Sequence, residues 1–103
     1  MIEDPKQSFQ ALVLESKESK GLGRLFTLKA MVELGPGWHP TGRIMTWLEP
    51  YTHTNYIFEL ASRWPKLVEV NLRDKEVRLA PAAYKTIKPL IDKAIGEVKQ
   101  AKF

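Results

Sequence analysis

The chain has 103 residues, 44% of them hydrophobic, and contains no cysteine. This length suffices for one compact domain but hardly for two, so we predict a single domain over residues 1–103. The lack of cysteine excludes disulfides and thiolate metal sites, and it fits the reducing cytoplasm that we predict as the location. No apolar run approaches the length of a membrane span, so no membrane partner is expected.

The formal net charge is +4, which favours a polyanionic partner. The excess lies late in the chain, because residues 66–103 hold nine Lys or Arg against five Asp or Glu. This is a local bias and not a polybasic tail.

Two helices are predicted in the first third of the chain. Pro5 can begin a helix over roughly 5–19, in which Phe9, Leu12 and Val13 recur at helical spacing. The next helix is predicted in "LGRLFTLKAMVELG", whose apolar residues can face a core until Gly-Pro-Gly ends the helix.

Two short helices that flank a turn are predicted next. The first is "TGRIMTWLE", which Pro50 limits. The second runs over about 54–64, with Thr52 or Thr54 as its N-cap and Pro65 as its end. An inward-facing stripe is formed by Ile57, Leu60, Ala61 and Trp64.

The segment "KLVEVNLRDKEVRLAP" alternates apolar and polar residues, which predicts a β-hairpin over 67–80. Val68, Val70 and Leu72 are expected on one strand face, with "RDKE" as the bend. Because a lone hairpin is only marginally stable in water, it must pack against the helices.

The C-terminal stretch carries a heptad-like apolar seam that Pro89 interrupts, so a kink or a fresh helix start is expected near Lys88. Either the seam packs on its own domain, or it pairs with a second copy to form a homodimer. The candidate dimerisation residues are Tyr84, Ile87, Ile91, Ala94 and Val98.

The order helix, short helix, turn, helix, hairpin, closing helix is that of a winged helix-turn-helix domain. In addition, "LVEVNLRDKEVRLAPAAYKTIKPLIDKAIGEV" resembles the wing and following helix of MarR-like and PadR-like transcriptional regulators. The resemblance covers about 22–98. It implies a mainly helical α+β fold with a core at about 22–88 and flanking helices at about 5–19 and 88–102.

The same resemblance implies double-stranded DNA as the partner, with helix 54–64 as the recognition helix in the major groove. Asparagine can bond adenine, and threonine can bond phosphate or meet a thymine methyl. Alternatively, the polar residues only cap the helix and fill the turn. The candidate contacts are Thr52, His53, Thr54, Asn55 and Phe58.

Cations on and near the hairpin are the electrostatic part of this prediction, because each one that neutralises a phosphate releases counterions from the duplex. The hairpin supplies Arg73, Lys75 and Arg78, and further candidates near the turn are Arg43, Arg63 and Lys66. Alternatively, these are ordinary solvated charges.

An enzymatic function is not expected. His39 and His53 are the only histidines, and neither has the paired spacing of a metal site or a visible nucleophile as partner. No cofactor and no metal are predicted. Two alternatives to a sequence-specific regulator stay open: a protein-interaction module in a larger assembly, and an architectural DNA binder of low specificity.

Overall fold

A computed structural model of the chain describes residues 4–19, 21–52 and 55–101. These residues form a mainly helical α+β fold with a small three-stranded antiparallel sheet, which confirms the predicted class at this level. The element order is α1 (Pro5–Ser19), α2 (Gly23–Leu34), β1 (His39–Pro40), α3 (Thr41–Leu48), α4 (Ile57–Arg63), β2 (Val68–Asn71), β3 (Glu76–Leu79), α5 (Pro81–Ile87) and α6 (Ile91–Ala101).

Helix α1 begins at Pro5, as predicted, because the preceding residue caps it. The Asp4 carboxylate accepts a hydrogen bond from the Gln7 amide at 2.7 Å, and the Gln7 side chain accepts one from the Asp4 amide at 3.3 Å. This reciprocal pair satisfies amides that the first helical turn would leave unbonded.

Helix α2 contributes heavily to the core, since six of its twelve residues are buried. Leu25, Leu28 and Met31 are at most 1% exposed. The helix ends at Gly35, whose φ of 99° few residues other than glycine adopt, and Gly37 follows with a φ of 96°. The predicted break at Gly-Pro-Gly is confirmed.

Helix α4 is shorter than the predicted 54–64 segment and begins at Ile57. Tyr56, and not Thr52, occupies the N-cap position, and the alternative predicted cap, Thr54, lies outside the described residues. The Thr52 amide instead donates to the Leu48 carbonyl at 2.9 Å and closes the end of α3. The predicted end before Pro65 is confirmed, because Trp64 leaves the helical conformation.

The hairpin is present, and a third strand, β1, pairs with it, which the sequence pattern did not indicate. The sheet order is β1-β3-β2, with His39 opposite Val77 and Val70 also opposite Val77 on the other side. The bend lies at residues 72–75 and not at "RDKE", so Leu72 leaves the strand face on which it was predicted. Its side chain is 74% exposed.

The C-terminal region forms two helices, which confirms the fresh helix start predicted near Lys88. The apolar seam packs against the protein's own α1 and α2, since Ile87, Ile91 and Val98 are at most 2% exposed in the single chain. Packing within one chain therefore explains the heptad-like spacing of these apolar residues. Ile87, Ile91 and Val98 are not exposed as an apolar seam to which a partner could bind. Among the helices that the structure describes, none has the length and apolar character needed to cross a membrane.

Candidate nucleic-acid interface

Helix α4 presents a narrow polar and aromatic stripe to solvent. Ile57 and Leu60 are fully buried and anchor the helix to the core. Phe58 and Ser62, four residues apart, are exposed, and half-buried Asn55 lies three residues before Phe58. The outward residues of this helix are therefore available to a ligand without disturbing its packing.

Two grooves border the N-terminal part of α4. One, of about 390 Å³, lies between α3 and the α3–α4 connection and includes Met45, Thr46 and Asn55 in its lining. The other, of about 240 Å³, is lined by Thr41, Phe58, Val70, Leu72 and Lys75. We refer to the second one as the hairpin groove. It shows that α4 and the hairpin tip border the same surface.

The hairpin tip is held by several hydrogen bonds. The Asn71 amide group donates to the Asp74 carboxylate at 3.0 Å, and the Asp74 backbone amide donates to the Asn71 side chain at 3.3 Å. Lys75 has a φ of 54°, and its carbonyl accepts from the Thr41 amide at 3.0 Å. The last bond ties the tip to the first residue of α3.

We define the helix–hairpin face as Phe58 and Ser62 of α4, Asn55 of the connection that precedes α4, and Leu72, Arg73 and Lys75 of the tip. Four predicted cations are exposed and have no ion pair among the described residues: Arg73 and Lys75 on this face, Arg43 on α3 and Lys66 shortly after α4. Acidic neighbours in the same segments are Glu49, Asp74 and Glu76, so the face is only modestly positive.

Arg63, a predicted contact, is instead engaged within the protein. Its guanidinium donates to both carboxylate oxygens of Glu15 at 2.6 and 2.7 Å and to Glu59 at 3.2 Å. The hydrogen bond from Arg63 lowers the pKa of Glu15, and the bonds to Glu15 and Glu59 raise the pKa of Arg63. A phosphate would have to compete with a two-point ion pair for this side chain.

Arg78 is engaged in a similar way on the outer face of the sheet. It donates to Glu69 on the neighbouring strand at 2.7 Å, and its guanidinium lies 4.6 Å from the centre of the Trp38 ring. Both contacts orient the side chain along the sheet. The sequence prediction grouped Arg78 with Arg73 and Lys75, but the structure separates it from them.

Glu59, which stands next to Phe58, carries a compensated charge. Arg24 donates to its carboxylate at 2.6 and 2.8 Å, and the Arg24 guanidinium also lies 4.9 Å from the centre of the Tyr56 ring. The acidic residue of α4 is therefore bound to α2 and does not leave an unpaired negative charge beside the exposed stripe.

His39 is 8% exposed, and its Nε2–H donates to the Gly35 carbonyl at 2.7 Å, which is a structural role. The predicted contacts His53 and Thr54 lie outside the described residues. Within residues 4–19, 21–52 and 55–101, no group of three His, Cys, Asp or Glu side chains could hold a metal ion.

The structure adds residues that sequence reasoning missed: Ser62 and Leu72 belong to the helix–hairpin face, and Thr41 lines the hairpin groove. Ser62 could have been found from its spacing of four residues from Phe58 on a helix. Leu72 could not, since its exposure depends on where the bend falls, and Thr41 joins the groove only through its bond to the hairpin.

The described residues form a small, mainly helical domain. The two hairpin strands belong to its three-stranded sheet, and one side of α4 is exposed beside the hairpin. Comparison with protein-family models, with curated proteins and with solved structures gives no match to the chain.

Proposed function

We propose that the protein binds double-stranded DNA as a winged helix-turn-helix domain and acts as a homodimeric transcriptional regulator. In this proposal α4 enters the major groove, and the hairpin tip contacts the backbone or the minor groove. The observation that carries it is the hairpin groove, because Phe58 of α4 and Leu72 and Lys75 of the tip line it together.

The topology supports the winged-helix part of the proposal. The elements α2, β1, α3, α4, β2 and β3 follow one another as helix, short strand, helix, turn, helix and hairpin. The hairpin's buried side closes the helical core through Val68, Val77 and Leu79, each at most 4% exposed, while its tip stays exposed. A scaffold of this kind leaves α4 and the tip free for a ligand.

The electrostatic part of the proposal rests on fewer residues than the sequence indicated. Arg73 and Lys75 on the tip are exposed and free of ion pairs among the described residues, and Arg43 occupies the first turn of α3. Arg63 and Arg78 are left out because their ion pairs already hold them. We therefore assign the phosphate contacts to Arg43, Lys66, Arg73 and Lys75.

The homodimer belongs to the proposal because two α4 helices about 34 Å apart would read a two-fold symmetric site. The seam of Ile87, Ile91 and Val98 is occupied inside the chain, so a second copy would dock on other residues.

The test is fluorescence anisotropy on a random-sequence duplex over a range of salt concentrations. Changing Arg73 and Lys75 to Gln should weaken binding to all duplexes and reduce the slope of log affinity against log salt by about 2, since each phosphate contact contributes about 0.9. The matched control changes Lys6 and Lys93 to Gln. These lysines lie on α1 and α6, are exposed and have no ion pair among the described residues. An equal effect of both pairs would remove the hairpin tip from the proposed interface.

A second candidate function is a protein-interaction module. It is favoured by one observation, the exposure of Phe58 (56%) and Leu72 (74%) on one groove, since large exposed apolar side chains often mark protein contacts. Selection of bound sequences from a random duplex pool at two salt concentrations separates the candidates. A regulator enriches a motif, an architectural binder retains DNA without a motif, and a protein-only module retains none at low salt.

A further inference from the structure

The aromatic side chain of Phe58 is exposed, and the packing of α4 against the core does not require it. Helix α4 is anchored by Ile57 and Leu60, both fully buried, so Phe58 is not needed to hold the helix. It stands 56% exposed on the side of α4 that faces the hairpin groove.

Other exposed aromatic rings of the described residues are covered by a neighbour. Tyr51 stacks between Phe26 and Trp47, with ring centres 5.1 and 5.0 Å away, and Trp38 lies under Arg78. Phe58 has neither a ring partner nor a cation over its face among the described residues. Its apolar neighbours in the groove are Val70 and Leu72.

The lining of the groove is mainly apolar and includes one cationic side chain. Val70 and Leu72 line it with Phe58, and Lys75 also borders it, with Arg73 on the same tip. An occupant must therefore combine an apolar group with neighbouring negative charge. In the DNA major groove, the apolar feature of the base edges is the thymine C5-methyl group, and the phosphates lie alongside it.

We infer that Phe58 is a specificity-determining residue that contacts the C5-methyl group of a thymine, with Lys75 and Arg73 on the adjoining phosphates. This inference rests on the proposed DNA binding. It assigns Phe58 a chemical role that Asn55 does not share, because asparagine would read the hydrogen-bonding edge of adenine.

The experiment replaces thymidine by deoxyuridine, which removes only the C5-methyl group. A duplex selected from a random pool is amplified with either dTTP or dUTP. Fluorescence anisotropy then measures the affinity of four proteins for the two duplexes: wild type, Phe58→Ala, Phe58→Leu and Leu14→Ala. Leu14 is the control, since it is 59% exposed but lies on α1.

Wild type should bind the deoxyuridine duplex about four-fold more weakly for each methyl contacted, the factor expected for burying one methyl-sized group. Leu14→Ala should keep this preference, and Phe58→Leu should keep part of it. Phe58→Ala should bind both duplexes with equal affinity. Thermal unfolding of each variant confirms that the fold is intact.

Two results would overturn the inference while leaving DNA binding in place: equal affinity of wild type for the two duplexes, or a preference that survives Phe58→Ala. Absence of binding to any duplex at low salt would instead overturn the proposed function together with this inference.

Discussion

Gly23→Ala tests how α4 is positioned. Gly23 begins α2, and a Cβ built on it would lie 3.0 Å from Cδ2 and Cζ of the Tyr56 ring and closer still to Cε2. Tyr56 is the N-cap residue of α4, so its ring connects the starts of two helices that are distant in sequence. Glycine is needed here because the ring approaches its backbone closely.

Two opposing effects determine the result of this substitution. Alanine in place of glycine ordinarily stabilises a helix by about 0.5–1 kcal/mol. Overfilling a packed site costs about 1–3 kcal/mol, because the ring must move and its contact with Arg24 at 4.9 Å is disturbed. We expect Gly23→Ala to lower the free energy of unfolding by about 1–2 kcal/mol, measured by urea denaturation.

Gly96→Ala is the matched control. It lies within α6, and no described residue outside its own helix backbone and chain neighbours has an atom within 4 Å of the added Cβ. It should therefore raise the free energy of unfolding by about 0.5–1 kcal/mol. In a Tyr56→Ala background the cost of Gly23→Ala should disappear, because the clashing ring is gone. A Gly23→Ala variant that is as stable as wild type, or that costs the same in both backgrounds, would refute this reasoning.

Two further predictions concern the ion pair between α1 and α4 and the C-terminal seam. Arg63 lowers the pKa of Glu15, so this pair stabilises the fold above the ordinary glutamate pKa, and that stability is lost as the pH falls through the lowered pKa. In urea denaturation from pH 7 down to about 3, Glu15→Gln should be less stable than wild type at neutral pH and should converge with it in acid. Glu18→Gln is the control, and a Glu15→Gln difference that is constant over this range would count against the pair. Ile91, 2% exposed, lies in the protein's own core, so Ile91→Ala should lower the free energy of unfolding by about 2–5 kcal/mol at every protein concentration. A loss confined to low concentration would place Ile91 at a subunit interface instead.

The helices were largely predictable, because the signals that begin and end them are local. Pro5 begins α1, Gly35 ends α2, and Pro89 lies in the break between α5 and α6. The alternation in residues 66–81 likewise predicted a hairpin, since period-2 spacing is visible within one short segment. The predicted inward residues Ile57 and Leu60 are fully buried.

Boundaries and the third strand were not predictable in this way. Strand β1 has two residues, too few for a pattern, and it exists only because it pairs with β3. The start of α4 depends on the packing of Tyr56 against Gly23, 33 positions earlier in the numbering. The bend lies one residue earlier than predicted. Leu72 is therefore an exposed residue of the bend and not a residue of the sheet face.

By itself the sequence determined the kinds and order of most elements of this protein, because helical and strand periodicity, prolines and glycines act through neighbouring residues. Tertiary structure decided which cations remain available to a ligand. Arg63 and Arg78 look like Arg73 in the sequence, yet Arg63 pairs with Glu15, 48 residues away, and Arg78 with Glu69 across the hairpin. A charge is neutralised by whatever lies within a few ångströms of it, and only the folded chain brings those groups together.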